Sequence, residues 1–388
     1  MRMPSGPLNP DGGPGDFDVV VVGGGPAGCA TALALAGRTS LRILLVEAGR
    51  YQSPRVGESI PPDTSAVLQA LGIWDDFVRE GHAACLGSCS SWGDDALGYN
   101  DFLFNPLGRG WHLERRRFDA FLARKAAERG CAVRQGTRLE SCERVASGFR
   151  LRLGDDGGAK HEIRARFVVD ASGMRSRVAR SMGASRRFVD QLICVTAYFD
   201  RAGRAGFSRL TMLEAVEYGW WYAARLPNDR IAVAVASDAD IVKRQALRHR
   251  DRFVTELART RHIAPELAGW RFVEGSQVIS AAPSFVLDEV GGNGWLAVGD
   301  AASAYDPISS QGIHKALSDG VRAAQAVADV LQGDAQALRD YRAAMAPRFQ
   351  QYLQGRNFFY GLEKRWPASS FWTTRQARVA VSQEPVPA

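Results

Sequence analysis

The sequence predicts an α/β protein with an inserted antiparallel β-sheet domain and a C-terminal helical extension. Three observations predict it. A short β-branched run near the N-terminus ends in a cluster of glycines. Gln191 to Ala236 alternates apolar and polar residues in several short runs without long helices. Trp295-Leu296-Ala297-Val298-Gly299-Asp300 returns, late in the chain, to the buried-strand type.

The first element is Phe17-Asp18-Val19-Val20-Val21-Val22, long enough for one strand buried on both faces. It stops at Gly23-Gly24-Gly25, and Pro26 opens a helix, where its missing N–H costs nothing. In Gly23-x-Gly25-x-x-Gly28 the first glycine allows the tight turn, the second lets backbone approach a pyrophosphate, and the third lets helix pack against strand. The helix N-terminus at Pro26-Ala27 then offers free N–H groups and a partial positive charge to phosphates. After a helix through Leu35, Arg42 to Val46 is a second strand, with Glu47 and Ala48 at its end. Glu47 lies about 20 residues beyond the glycines, where an acidic side chain accepts ribose hydroxyls. That context makes the glycines a Rossmann-type dinucleotide site.

Further along, Tyr51 to Ser59 is a loop leading to Ile60-Pro61-Pro62, and a helix is expected from Asp63 to Leu71. Gly81 to Arg109 reads as a β excursion, and Arg115 to Arg129 as an amphipathic helix with Phe118, Phe121, Leu122 and Ala126 on one stripe. Arg166 to Gly173 is a second strand-turn-glycine unit, which places Asp170 and Gly173 beside the dinucleotide. Ile241 to Thr260 is expected as one polar helix, Trp270 to Ser280 as one strand, His314 to Leu331 as a long helix, and Asp334 to about Glu363 as a last helix before an aromatic tail (Trp366, Phe371, Trp372) expected to dock on the first domain. The expected boundaries are a disordered tail at 1–15, three parts of the dinucleotide domain at 16–80, 111–189 and 286–333, the excursion at 81–110, the antiparallel substrate sheet at 190–285, and the helical extension at 334–388.

Composition narrows the function classes. The 388 residues suffice for two cores. A formal charge of +7, carried mostly by Arg, suits an anionic cofactor or acidic partner, and without a basic run interleaved with aromatics it does not argue for nucleic acid. The six cysteines show no CxxC and no metal spacing, so reduced thiols, no metal and a cytoplasmic protein are expected. No run of about 18 apolar residues predicts a membrane span.

Three separated segments, GGGPAG with Glu47, the DASG turn at Asp170 to Gly173, and GDAA…DP…QG at Asp300 to Gly312, together resemble FAD-dependent monooxygenases of the p-hydroxybenzoate hydroxylase fold. The resemblance implies FAD as cofactor, Asp300 on its ribityl chain, Pro307 through Gly312 and Ile313 beside its ring, and Arg115, in Arg-x-x-Phe-Asp, as a further contact. Arg55 and Ser59 complete the expected cofactor shell. The run Gly57-Glu58-Ser59-Ile60-Pro61-Pro62 is similar to the flavin-dependent halogenase branch and its hydroxylase and reductase relatives. Halogenases use a lysine that captures hypohalous acid, and His82 to Trp92 contains none; Trp220 alone matches their W-x-W-x-I-P, and Ser309 stands at their glutamate position. Gly110 to Arg115, Ser309 to Leu317 and the Glu363-Lys364-Arg365-Trp366 tail are similar to flavoproteins that oxygenate a peptidyl tryptophan during maturation of tryptophylquinone enzymes. The implied activity is hydroxylation of an aromatic ring through a flavin C4a-hydroperoxide, on a tryptophan of a peptide or protein precursor; halogenation of an aromatic and reduction of an isoprenoid stay as alternatives.

No Ser/His/Asp triad, metal constellation or carboxylate pair emerges, which suits an enzyme whose cofactor carries the hard step. His314, His112 and Glu58 are the catalytic candidates, each with a structural role as the alternative. Trp220 and Tyr222 share a strand face that packs the core or walls the substrate. With no second glycine fingerprint, electrons are expected from transient NAD(P)H docking or a separate flavin reductase.

Overall fold

The computed structural model describes residues 16–203 and 206–381. The tail expected at 1–15 lies outside the described residues. Val19, Val20 and Val21 are completely buried, and the strand they belong to, Asp16–Val22, lies inside a sheet. It runs parallel to Ile43–Val46 on one side and to Lys160–Asp170 on the other. Trp295–Ala297 pairs in parallel with Lys160–Asp170, and Ala132–Arg134 with Ile43–Val46. One sheet is thus assembled from distant parts of the chain, as apolarity on both faces requires. The helices Pro26–Ala36, Arg115–Glu128 and Gly312–Leu331 cover one face through Leu33, Phe118, Phe121, Leu317 and Val327. Gly320 lets the long helix approach closely, since an added Cβ would sit 2.7 Å from the Ala27 carbonyl oxygen. On the other face the hairpin Thr137–Val145 and Gly148–Asp155 contributes Leu139, Phe149 and Leu151.

The second large sheet has the order Trp270–Phe272, Leu192–Arg201, Arg230–Asp238, Gly219–Leu226, Thr211–Val216, Gly87–Ser91, Gly98–Asp101, with Val278–Ala281 also on Leu192–Arg201. It is antiparallel except at one place: Gly87–Ser91 runs parallel to Thr211–Val216. These strands come from separate passes of the chain rather than a hairpin, so nothing forces opposite directions. Alternation gives the sheet two different faces. Trp221, Val195 and Val233 pack on helices that include Phe253, with the Trp221 and Phe253 rings 5.0 Å apart. Trp220 and Tyr222 point the other way.

Three expectations about elements fail for local reasons. The single helix over 241–260 is two, Ala239–Arg244 and Arg250–Leu257, because Ala246 takes φ +56° between them. The last helix is also two, Ala335–Ala343 and Met345–Leu362. Pro347, in the first turn of the second, has no N–H to continue the first helix's ladder. The strand over 270–280 is Trp270–Phe272 and Val278–Ala281.

The aromatic tail packs mainly on the second sheet and touches the 286–333 segment through Ile308 and the Tyr360–Asp306 hydrogen bond (2.8 Å). Tyr360, Phe371 and Trp372 are fully or almost fully buried against Trp220, Leu192 and Ala236 of the second sheet. Trp220 Nε1 donates to Tyr360 Oη (3.1 Å), Trp372 Nε1 to the Val216 carbonyl (2.9 Å), and Trp92 Nε1 to the Phe359 carbonyl (2.7 Å). Arg375 pairs with Asp238 at 2.7 Å and lies over Phe371. The Trp220 face is apolar, so the nearest apolar helices bury it.

Candidate functional site

The glycine loop is built as its spacing predicts. Gly23 has φ +114°, and a Cβ there would meet the Ala171 carbonyl oxygen at 2.1 Å, so the turn after Lys160–Asp170 presses directly on the loop. A Cβ on Gly28 would lie 1.9 Å from the Gly23 carbonyl oxygen. A Cβ on Gly25 would meet nothing within 4 Å. The helix that begins at Pro26 and Ala27 has no side-chain cap and no acidic residue in its first turn. Its first N–H groups therefore have no side-chain acceptor, and the space beside Gly25 is open, a place for an anion.

Glu47, at the end of its strand, is 7% exposed. Its carboxylate accepts from Gly24 N (2.8 Å) and Gly49 N (2.9 Å) and pairs with Arg55 (2.9 Å). Arg55 reaches on to Asp119 (3.0 Å), which also holds Arg115 (3.3 Å). Arg115 donates to the Gly57 carbonyl at 3.0 Å, tying the glycine loop's acidic partner to the loop that carries Glu58. Tyr51, which sequence reasoning missed, donates to the Gly24 carbonyl at 2.8 Å from a backbone with φ +56°. Ala48 is exposed, and a cavity of about 710 Å³ opens at the end of Ala132–Arg134, lined by Arg50, Arg134, Gln135, Thr137 and His161. Ligands of open parallel sheets lie at such carboxyl ends; position after the strands was the one signal that could have found these residues.

Asp170 has the structural role expected of a turn beside the cofactor: its buried carboxylate accepts from Ser172 N (3.0 Å), Ser172 Oγ (2.6 Å) and Ala179 N (2.8 Å) and so holds the turn. Gly173 follows at φ +64°. Asp300 differs: burial pushes its pKa up against the pull of Lys315 and Arg115, and no described group donates a hydrogen bond to it. Gly299 before it has φ +61°, with room beside Ala27 for no Cβ, which would sit 2.6 Å from the Ala27 Cβ. Pro307–Ser309 forms a 3₁₀ turn, Ser310 turns left-handed at φ +50°, and the helix that starts at Gly312-Ile313 has no side-chain cap, with Gly312 open to space.

Two of the catalytic candidates, His112 and Glu58, lie on paired segments, with Ser59 opposite His112 and Leu113 N donating to the Glu58 carbonyl at 2.7 Å. His112, wholly buried, meets Thr211 Oγ1 at 2.9 Å through Nε2; Thr211 meets Ser59 Oγ at 3.1 Å, and Ser59 meets Tyr222 Oη at 2.8 Å. Ser59 is thus occupied by side chains of the second large sheet. Burial pushes His112 down to about 4, against a small upward pull from the Arg225 backbone, so the ring is neutral at pH 7. Glu58 adjoins Ser59 in sequence. Burial pushes its carboxyl up to about 7 against the pull of Arg115. Oε2 accepts from Gly57 N at 3.1 Å, and Oε1 is buried without a partner. Burial also raises Tyr222, with Glu58 adding to it, so the phenol stays protonated. His314 stands apart, near Thr64 Oγ1 (3.4 Å) and Ser318 Oγ (3.5 Å), with its pKa lowered by burial.

An uncapped helix start behind a glycine loop, an acidic residue at the next strand's end and an unbonded carboxylate at Asp300 define a dinucleotide-dependent α/β enzyme with room for FAD. The chain belongs to the FAD binding domain family, which matches residues 16–356, and it is a flavin-dependent oxidoreductase. LodB of Marinomonas mediterranea, named as an FAD-dependent oxidoreductase, is 30% identical over 365 residues, which is 93% of this chain and 97% of that one. The myxobacterial chondrochloren halogenase CndH superposes with a TM-score of 0.86 at 26% identity, over 95% of this chain and 89% of that one. The peptidyl tryptophan dihydroxylase QhpG shares the fold, with a TM-score of 0.71 at 24% identity over 93% of this chain and 79% of that one. No helix among the described residues is long and apolar enough to cross a membrane.

Proposed function

We propose that this enzyme hydroxylates an electron-rich aromatic ring, a tryptophan side chain of a peptide or protein precursor. The observation that carries the reading is the state of its lysines. Halogenation in this branch needs a free ammonium group to capture hypohalous acid. Lys315 is the one buried lysine among the described residues, and its ammonium donates to the Ser303 carbonyl at 2.8 Å and pairs with Asp319 at 2.9 Å. Lys125 pairs with Asp76 and Glu128 at the surface, and Lys160, Lys243 and Lys364 are exposed. None is available as a carrier inside the site.

FAD, when bound, supplies the activation of dioxygen. The residues of this chain do the rest. Glu47, Arg115, Asp300 and the two uncapped helix starts hold the cofactor. Helices carrying Tyr360 and Trp372 close one face of the substrate sheet and keep water from it. The Tyr222–Ser59–Thr211–His112 hydrogen-bond chain keeps a proton at Tyr222 Oη and fixes Tyr222 against the strand that carries the neutral His112 ring. Glu58 Oε1 offers an acceptor for a ring N–H, as an indole carries. QhpG, by its name a peptidyl tryptophan dihydroxylase, supports this substrate class.

The test is to reduce the FAD-loaded enzyme, admit oxygen, and analyse tryptophan peptides, free tryptophan and free phenols by mass spectrometry. Gain of oxygen on the peptide is the expected result. Stoichiometric peroxide with no oxygenated product from any aromatic, free or peptidyl, refutes the proposal, and a brominated product with bromide present replaces it by halogenation.

A further inference from the structure

A groove of about 370 Å³ runs between the helices Gly312–Leu331 and Met345–Leu362. Ser318 and Arg322, one helical turn apart, line it from one side, and Arg348 and Tyr352 line it from the other. At its base lies Asp319, with a side chain only 4% exposed. Three cations converge on this one carboxylate: Lys315 at 2.9 Å, Arg348 at 3.4 Å and Arg322 at 3.5 Å.

One carboxylate cannot neutralise three cations, and even with buried Asp300 sharing Lys315 the groove keeps a net positive charge at Arg322 and Arg348. The two guanidinium groups differ from Lys315, because their side chains are 52% and 29% exposed. Each contacts Asp319 through Nη1, and neither Nε nor Nη2 has a hydrogen bond to a described residue. Asp319 therefore ties two groove-lining guanidinium groups together through Nη1 and leaves their other N–H donors without a partner among the described residues. Guanidinium forks match the geometry of phosphate oxygens. Aromatic rings belong to the lining. The Tyr305 and Tyr352 rings stack at 3.9 Å with 7° between their planes, and Lys315 lies 4.8 Å from the Tyr305 centroid. Ile308, Ser309 and Gln311, from the turn that precedes the long helix, close the end of the groove.

We propose that Arg322 and Arg348 form a phosphate-recognition site for a nucleotide electron donor, separate from the glycine loop that faces the FAD pyrophosphate. A nicotinamide dinucleotide and a free flavin nucleotide delivered by a reductase share this chemistry, a phosphate next to a planar ring. The proposal rests on the enzyme being a flavoprotein and is independent of which aromatic it oxygenates.

The test is calorimetric titration of the oxidised, FAD-loaded enzyme with inorganic pyrophosphate, followed by competition with NADP⁺ and with FMN. FAD absorbance monitors that the cofactor stays in place. Pyrophosphate is expected to bind, and Arg322→Gln and Arg348→Gln each to weaken it roughly tenfold, the loss of one charge-assisted pair. Arg348→Lys keeps the charge and is expected to lose less. Displacement by NADP⁺ identifies the nicotinamide source and displacement by FMN the flavin source, and either upholds the site. Absence of pyrophosphate binding, wild-type affinity in both glutamine variants, or pyrophosphate that neither nucleotide displaces overturns it. Thermal melts of the variants keep the outcome interpretable, since exposed Arg322 can be changed without unfolding the helix.

Discussion

Glu58→Gln is predicted to stabilise the protein above neutral pH. The carboxyl is buried, and burial raises it from 4.5 to about 7 despite Arg115. Between those values the folded protein keeps a proton that the unfolded chain has lost, so stability falls as pH rises. Below about pH 4.5 both states are protonated and the group contributes nothing. Above about pH 7 the full cost of a buried charge is present, and a shift of roughly 2.5 units corresponds to about 3 kcal/mol. Glutamine has the same shape, can still accept from Gly57 N, and does not ionise. Urea unfolding followed by tryptophan fluorescence, with FAD in fixed excess so that its binding term cancels, reads the difference. The two proteins are expected to be alike near pH 5, and the variant more stable by about 2–3 kcal/mol near pH 8. Parallel pH profiles for variant and wild type would refute a buried, raised Glu58.

Two further predictions concern the cofactor loop and the C-terminal latch. Gly25→Ala keeps the fold, because its Cβ meets no protein atom within 4 Å, but loses FAD on gel filtration as the methyl group enters the phosphate space, whereas Gly28→Ala, with a Cβ 1.9 Å from a carbonyl oxygen, lowers the melting temperature; equal melts for the two would count against the close packing. Arg356, whose side chain is fully buried, pairs with Asp190 at 2.5 Å and Asp306 at 3.4 Å, and Arg356→Met leaves both carboxylates buried without it, at a cost of about 3–5 kcal/mol in urea unfolding; a change below about 1 kcal/mol would show that the pairing is not needed.

Much of the dinucleotide half was legible because its signals are local. Val19 to Val22, the three glycines and Glu47 each act through neighbours in the same strand-turn-helix unit, and their spacing carries the geometry. Pro347 also carried a readable signal for the helix break. Ala246 did not, since nothing about alanine announces a left-handed backbone. Asp170 shows a different limit: the sequence marked an acid beside a glycine turn, but not that Ser172 and Ala179 would use up its oxygens.

The amino-acid order alone determined that this chain builds a parallel core of strands packed on both faces with a tight glycine turn before a helix, because apolar runs and glycines dictate their own local conformations. Tertiary structure alone decided which polar groups meet. Ser59, His112, Thr211 and Tyr222 come from separate passes of the chain, and Asp319 gathers Arg348 from another helix. The aromatic tail likewise found the Trp220 face only once that sheet existed. Such meetings depend on how sheets and helices cross, and burial then sets the charge of Glu58 and His112, a property of the assembled surroundings rather than of any stretch of sequence.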